Sequence, residues 1–223
     1  MKKIELEEKY ILEYIKDILN DSRIKSEELD LKKLFHHNTS YKDTPSVIRN
    51  GILSLEDLTK KDIYKFSKEQ LEIYSDHTSH VNGIEKISLA KVGLDDIYPN
   101  EEVYDPYRAT LTDILIDDKV KAGRSSYNYG NEFLADSPIL SDKFKSIDIR
   151  LLKLINELEN KILNNKVDEN DITKIIEKYN MLKEIANAIS YMKLTIPIRD
   201  MSRENVTLDV EKVKENPVLL LKK

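Results

Sequence analysis

The stretch Leu34-Phe-His-His-Asn-Thr-Ser-Tyr-Lys-Asp-Thr-Pro-Ser-Val-Ile-Arg-Asn-Gly-Ile-Leu53 organises the reading of this chain. A short apolar run, Leu34-Phe35, suits a buried strand and ends in the pair His36-His37. A polar turn then opens a short helix. Thr44 is the expected N-cap, because its hydroxyl can accept a backbone N–H, and Pro45 suits the first helical position. Gly51 can take the left-handed conformation that ends the helix. The pattern predicts a histidine at the lip of a strand, facing a fresh helix N-terminus.

Working outward, residues 4–19 carry Ile4, Leu6, Ile11, Leu12, Ile15, Ile18 and Leu19 and are read as one amphipathic helix. Residues 55–74 are charged and periodic, predicting one or two surface helices. Residues 76–83 form a polar turn cluster containing His77 and His80. Strands are expected at 85–90, 112–117, 131–135 and 146–150, separated by a loop to residue 107 and by the polar, aromatic segment Gly123–Gly130. After residue 150 the pattern turns helical. Residues 151–163 and 171–192 predict an antiparallel hairpin, and Pro217-Val-Leu-Leu-Leu221 is an apolar tail that must pack on something. The expected class is α+β rather than regular βαβ winding.

The totals set bounds. At 223 residues the chain can hold one good-sized domain, or a domain with an appendage. No apolar run approaches the ~18 residues needed to cross a membrane, and the N-terminus lacks a signal-peptide core. There are no cysteines, so disulfide and thiolate chemistry are excluded and zinc loses a favoured ligand. A cytoplasmic location is expected. The richness in Lys, Ile and Asn suggests an AT-rich genome, such as a low-GC bacterium or its phage. The net charge of −5 weighs against non-specific DNA binding without excluding a local basic patch.

Three elements carry candidate chemistry: His37-Asn-Thr39 at a strand end, Ile87-Ser88-Leu89 on a later strand, and Glu132, preceded by the Arg124–Gly130 loop. A carboxylate in an apolar strand is either exposed on the solvent face, paired with Arg124 or Arg150, or held in a cleft for use. His36 and His37 are equally readable as a strand pair with one ring in the core. His77 and His80 have metal-ligand spacing but lack further ligands; a polar turn bordering a cleft is preferred, and no metal is required.

As a set, these motifs resemble the ADP-ribosyltransferase superfamily, most closely its DNA-modifying toxins. The toxin pattern is His-x-Thr, Asn four residues on, Ser-Ile and a Gly-Leu ending. This chain has His37-x-Thr39, Asp43, Ser46-Val47 and Gly51-Ile52 at the same offsets. Glu132-Phe-Leu, Pro138 and Lys145-Ser-Ile147 are similar to the third motif. Asp43 stands where the toxins have Asn, and Gly130 is neither Glu nor Gln, so the arginine-modifying Glu-x-Glu signature is absent.

The resemblance implies a split β-sheet core over 34–150; the N-terminal helix and connection over 1–33 and the helical hairpin and tail over 151–223 are read from periodicity and lie outside it. It implies ADP-ribose transfer from NAD to a macromolecular acceptor, protein or nucleic acid, by a bacterial or phage effector or toxin. Glu132 would be the catalytic carboxylate. His37, Thr39 and Ser88 would bind NAD, with Arg124, Tyr127, Tyr129 and Tyr41 positioning or stacking on substrate. A neutralising or regulatory protein partner would fit such an effector. Three rivals stand beside it: an NAD glycohydrolase, a non-enzymatic interaction or inhibitor protein on the same fold, and an RNA 2′-phosphotransferase on a related fold.

Overall fold

The computed structural model describes residues 2–25, 29–63, 85–91, 111–124, 132–164, 169–200 and 206–222. In chain order these form β1 (Lys3–Leu6), α1 (Glu8–Asp21), β2 (Arg23–Ile24), β3 (Leu34–Ser40), α2 (Thr44–Asn50), α3 (Leu55–Lys60), β4 (Lys86–Lys91), β5 (Leu111–Asp117), β6 (Ala122–Arg124), β7 (Glu132–Asp136) and β8 (Phe144–Ile149). They continue as α4 (Leu151–Leu163), α5 (Glu169–Tyr191), β9 (Ile198–Asp200), β10 (Val206–Leu208), α6 (Val210–Glu215) and β11 (Val218–Leu221). The class is α+β.

A nine-stranded sheet runs in the order β2-β10-β9-β8-β5-β3-β4-β7-β6. It is antiparallel except where β8 meets β9. β5 is a central strand, with Thr112 to Ile116 all buried. Residues that face each other across antiparallel strands share a face. Phe35, Ile87, Leu89, Ile114, Ile116, Ile147 and Ile198 therefore line one face, and they join the core formed with α1, α4 and α5. α1 contributes Ile11, Leu12, Ile15, Ile18 and Leu19, the stripe visible in the sequence. Segments 1–33 and 151–223 supply β2, β9 and β10 to this sheet and much of that core.

The N-terminal reading needs correction. Residues 4–19 are not one helix: Lys3–Leu6 is a strand, and the helix begins at Glu8. β1 pairs in parallel with β11, matching Ile4 to Leu219 and Leu6 to Leu221. Asn180 of α5 completes the tail. Its Nδ2 donates to the Leu219 carbonyl and its Oδ1 accepts from Leu219 N–H, both at 3.0 Å, so one side-chain amide stands in for a neighbouring strand. The apolar tail is thus accounted for by pairing with residues near the other end of the described chain.

Candidate functional site

β3 and β4 pair only at Phe35↔Lys91 and His36↔Ala90. Beyond that point β3 stays with β5 through Ser40, while β4 stays with β7 back to Lys86. The sheet is therefore split between residues 37–40 and 86–89. The three sequence motifs fall on β3, β4 and β7, three adjacent strands around this split.

His37, Ser88 and Glu132 are linked in a line, through the Ser88 backbone carbonyl on one side and its hydroxyl on the other. His37 Nδ1 lies 3.0 Å from the Ser88 carbonyl across the split. A carbonyl only accepts, so Nδ1 carries the proton and Nε2 of the neutral ring is an acceptor. Burial lowers the His37 pKa, and neighbouring His36 lowers it further, against the opposing effect of the Ser88 carbonyl; the ring is neutral at pH 7. On the next strand, Ser88 Oγ donates to Glu132 Oε1 at 2.6 Å. Ser88 is exposed and Glu132 half-buried, so the carboxylate is reachable. Ala90, opposite Glu132, shares its face and that of Ser88, whereas His37 pairs Ile114 and belongs to the apolar face. A ligand touching both His37 and Glu132 must lie in the split, where the two faces meet.

The turn after β3 departs from its expected form. Thr44 is the first helical residue and Asp43 is the N-cap. The Thr44 hydroxyl is committed as a donor to the Ser40 carbonyl at 2.8 Å, so Thr44 does not cap. Asp43 instead accepts from the Ser40 hydroxyl at 2.6 Å, and its N–H donates back to Ser40 Oγ at 3.1 Å. Pro45 still lies in the first turn, and Gly51 ends the helix as expected, but at φ 81° and ψ 175°, an extended positive-φ conformation rather than the left-handed helical one. Thr39, half-buried on β3, pairs Thr112.

Tyr41 is not a stacking residue. It is 2% exposed, its hydroxyl accepts from Arg150 N–H at 3.1 Å, and Lys178 Nζ sits 4.5 Å from its ring centroid. It fastens the turn after β3 to the start of α4 and to α5. Arg150 pairs with Asp113 at 3.1 Å, and Ser88 is the hydrogen-bond partner of Glu132. Arg124 ends the edge strand β6 opposite Phe133. Tyr127, Tyr129, His77 and His80 lie outside the described residues. Among the described residues no group of three or more His, Asp or Glu could hold a metal ion. No described helix is long and apolar enough to cross a membrane.

A second group of polar residues escaped the sequence reading. Asn38↔Asp113, Asp113↔Asp148 and Asp148↔Arg199 are successive register partners across β3, β5, β8 and β9, on the face opposite the apolar core. The available signal was the one used for Glu132, an acidic residue inside an apolar strand: Asp113 in Thr-Asp-Ile-Leu-Ile and Asp148 in Ser-Ile-Asp-Ile.

No protein-family model, curated protein or solved structure matches the chain.

Proposed function

We propose that this chain is an ADP-ribosyltransferase of the superfamily its motifs resemble. It would move ADP-ribose from NAD to a macromolecular acceptor, as a bacterial or phage effector. The observation that carries this reading is the line from His37 through Ser88 to Glu132 across a split in the sheet. Residues 37, 88 and 132 are far apart in sequence, and the motifs that resemble the family as a set lie on three adjacent strands around the split, which supports the reading.

The chemistry suits these groups. The bond between nicotinamide and the ribose C1′ breaks, and its electron pair leaves with neutral nicotinamide. Positive charge develops on the ribose, where a fixed carboxylate such as Glu132 is stabilising. The acceptor nucleophile then bonds to C1′, and its proton passes to that carboxylate or to solvent. The Ser88 hydroxyl holds Oε1 of Glu132 and leaves Oε2 for a ribose hydroxyl or the incoming nucleophile. His37 Nε2 offers an acceptor to a second hydroxyl. NAD fits this donor and acceptor set without a metal.

The test is nicotinamide release from NAD by the purified chain, wild type beside Glu132→Gln, with and without a lysate of protein and nucleic acid. Release that collapses in the variant, with label appearing in a protein or nucleic-acid fraction, is the expected result. Release without transfer would redirect the reading to an NAD glycohydrolase. Absence of both release and NAD binding would overturn it in favour of a non-enzymatic protein.

A further inference from the structure

The small sheet formed by β1 and β11 is separate from the nine-stranded sheet that carries the candidate site, and its two outer edges are treated differently. Val218 N–H donates to the Lys2 carbonyl and Lys222 N–H to the Leu6 carbonyl, both at 3.0 Å. Backbone groups of successive strand residues point to opposite sides, so Ile4 and Leu6 turn theirs toward β11. By the same alternation Leu219 turns away from β1, and there the Asn180 amide fills both of its backbone groups. Lys3 and Glu5 turn their N–H and C=O to the outer side of β1. Among the described residues no strand pairs with that side, and no other backbone group bonds to it. One edge of this sheet is closed by a side chain and the other is left open.

An open edge is a template for a further strand, and charges along it ordinarily discourage pairing. Here the order of the charges decides. Lys3 and Glu5 are exposed on one face of β1, with opposite signs. Ile4 and Leu6 are half-buried on the other face, packed against the core beside Leu219 and Leu221. Two copies of the chain related by a two-fold axis present the same edge to each other. In an antiparallel pair, residues whose backbone groups turn toward the partner lie opposite one another. An axis at Lys3 sets Lys opposite Lys, and an axis at Glu5 sets Glu opposite Glu; both are destabilising. An axis at Ile4 sets each Lys3 opposite Glu5 of the second copy. Each such pair exchanges both backbone hydrogen bonds and matches opposite charges. The same register brings Ile4 against its own copy and lays the aliphatic stem of Lys2 over Leu6.

We propose that the outer edge of β1 is a dimerisation edge: a second copy of this chain adds its own β1 antiparallel, with the axis at Ile4, giving a continuous sheet ordered β11-β1-β1-β11. The inference rests on the open edge, the direction of its backbone groups and the order of its charges, and does not depend on the NAD reading. A single short strand pair is small beside the roughly 1,200–2,000 Å² of stable interfaces, so the dimer is weak and forms at high concentration.

The experiment is sedimentation equilibrium of the untagged full chain from about 10 μM to about 1 mM, the range in which weak association is read. Wild type should pass from monomer toward dimer across it. Lys3→Glu and Glu5→Lys each oppose like charges and should raise the dissociation constant about tenfold or more. The double variant Lys3→Glu/Glu5→Lys restores opposite pairs and should regain association. An equimolar mixture of the two single variants should also associate, because it meets an acidic edge with a basic one. Amide hydrogen exchange of the wild type needs no variant: Lys3 and Glu5 should gain protection as concentration rises, while Ile4, turned toward β11, should not. A wild type still monomeric at the highest concentration, a dimer that both single variants leave intact, a double variant that folds but stays dissociated, or no protection gained at Lys3 and Glu5 overturns the proposal.

Discussion

Replacing Gly51 with alanine tests how the two ends of the candidate site are tied together. Gly51 sits at φ 81° and ψ 175°, a conformation open essentially to glycine alone. A Cβ there would stand 2.6 Å from the Ile139 carbonyl oxygen and 3.2 Å from its carbon, both backbone atoms. That carbonyl accepts Ile52 N–H at 2.8 Å, and Ile139 N–H donates to Ile52 O at 2.9 Å. Gly51→Ala therefore combines strain of about 1–3 kcal/mol with weakening of two hydrogen bonds worth about 1 kcal/mol each. Reduced freedom of the unfolded chain returns about 0.4–1 kcal/mol, leaving a net loss of about 2–4 kcal/mol. Gly123 is the internal control: a Cβ there meets nothing within 4 Å, so Gly123→Ala should be neutral or stabilising by up to about 1 kcal/mol. Equilibrium urea unfolding with two probes measures both, at unchanged m. A Gly51→Ala loss below about 1 kcal/mol, or an equal loss at Gly123, would refute the reasoning. The same bridge joins the end of α2 to the turn after β7, where Ser137 accepts Ser54 N–H at 2.9 Å and donates to Asp57.

Three more outcomes follow from single contacts. Ser88→Ala removes the donor 2.6 Å from Glu132 and should lower kcat/KM for nicotinamide release about tenfold, given about 1–2 kcal/mol for a partly solvated bond to a charge; an unchanged rate would remove Ser88 from the site. Tyr41→Phe strips the acceptor from Arg150 N–H while keeping the ring under Lys178, and should cost about 1–2 kcal/mol in urea unfolding while leaving the KM for NAD unchanged; a raised KM would restore Tyr41 to the binding surface. Asn180→Ala leaves both Leu219 backbone groups unpartnered and should cost about 2 kcal/mol, with hydrogen exchange at Leu219 rising most; protection equal to wild type would show that the amide is dispensable.

Legibility in the sequence followed the range of the interaction. The stripe Ile11, Ile15, Leu19 and the stop at Gly51 are local facts of period and backbone freedom, and both hold. The caps were harder, because a threonine hydroxyl can accept or donate. Only the position of the Ser40 carbonyl assigns Thr44 the second role. Ile4 and Leu6 fit a strand's two-residue period, but adjacent helical residues absorbed them into one stripe; the deciding partner, β11, is at the far end of the sequence. Tyr41 was chemically eligible for stacking, and only its burial against α4 and α5 removed it.

The sequence by itself named the residues of the candidate site, His37, Ser88 and Glu132, through short motifs, excluded cysteine chemistry, and pointed to the α+β class, because motif, composition and periodicity act over a few residues. The tertiary structure alone decided that β3, β4 and β7 are neighbours, that pairing stops after His36, and that Asp113 pairs with Arg150 while Asp148 pairs with Arg199. Strand order and register are settled by contacts between distant segments and by which face is buried, and no local pattern in the chain records those.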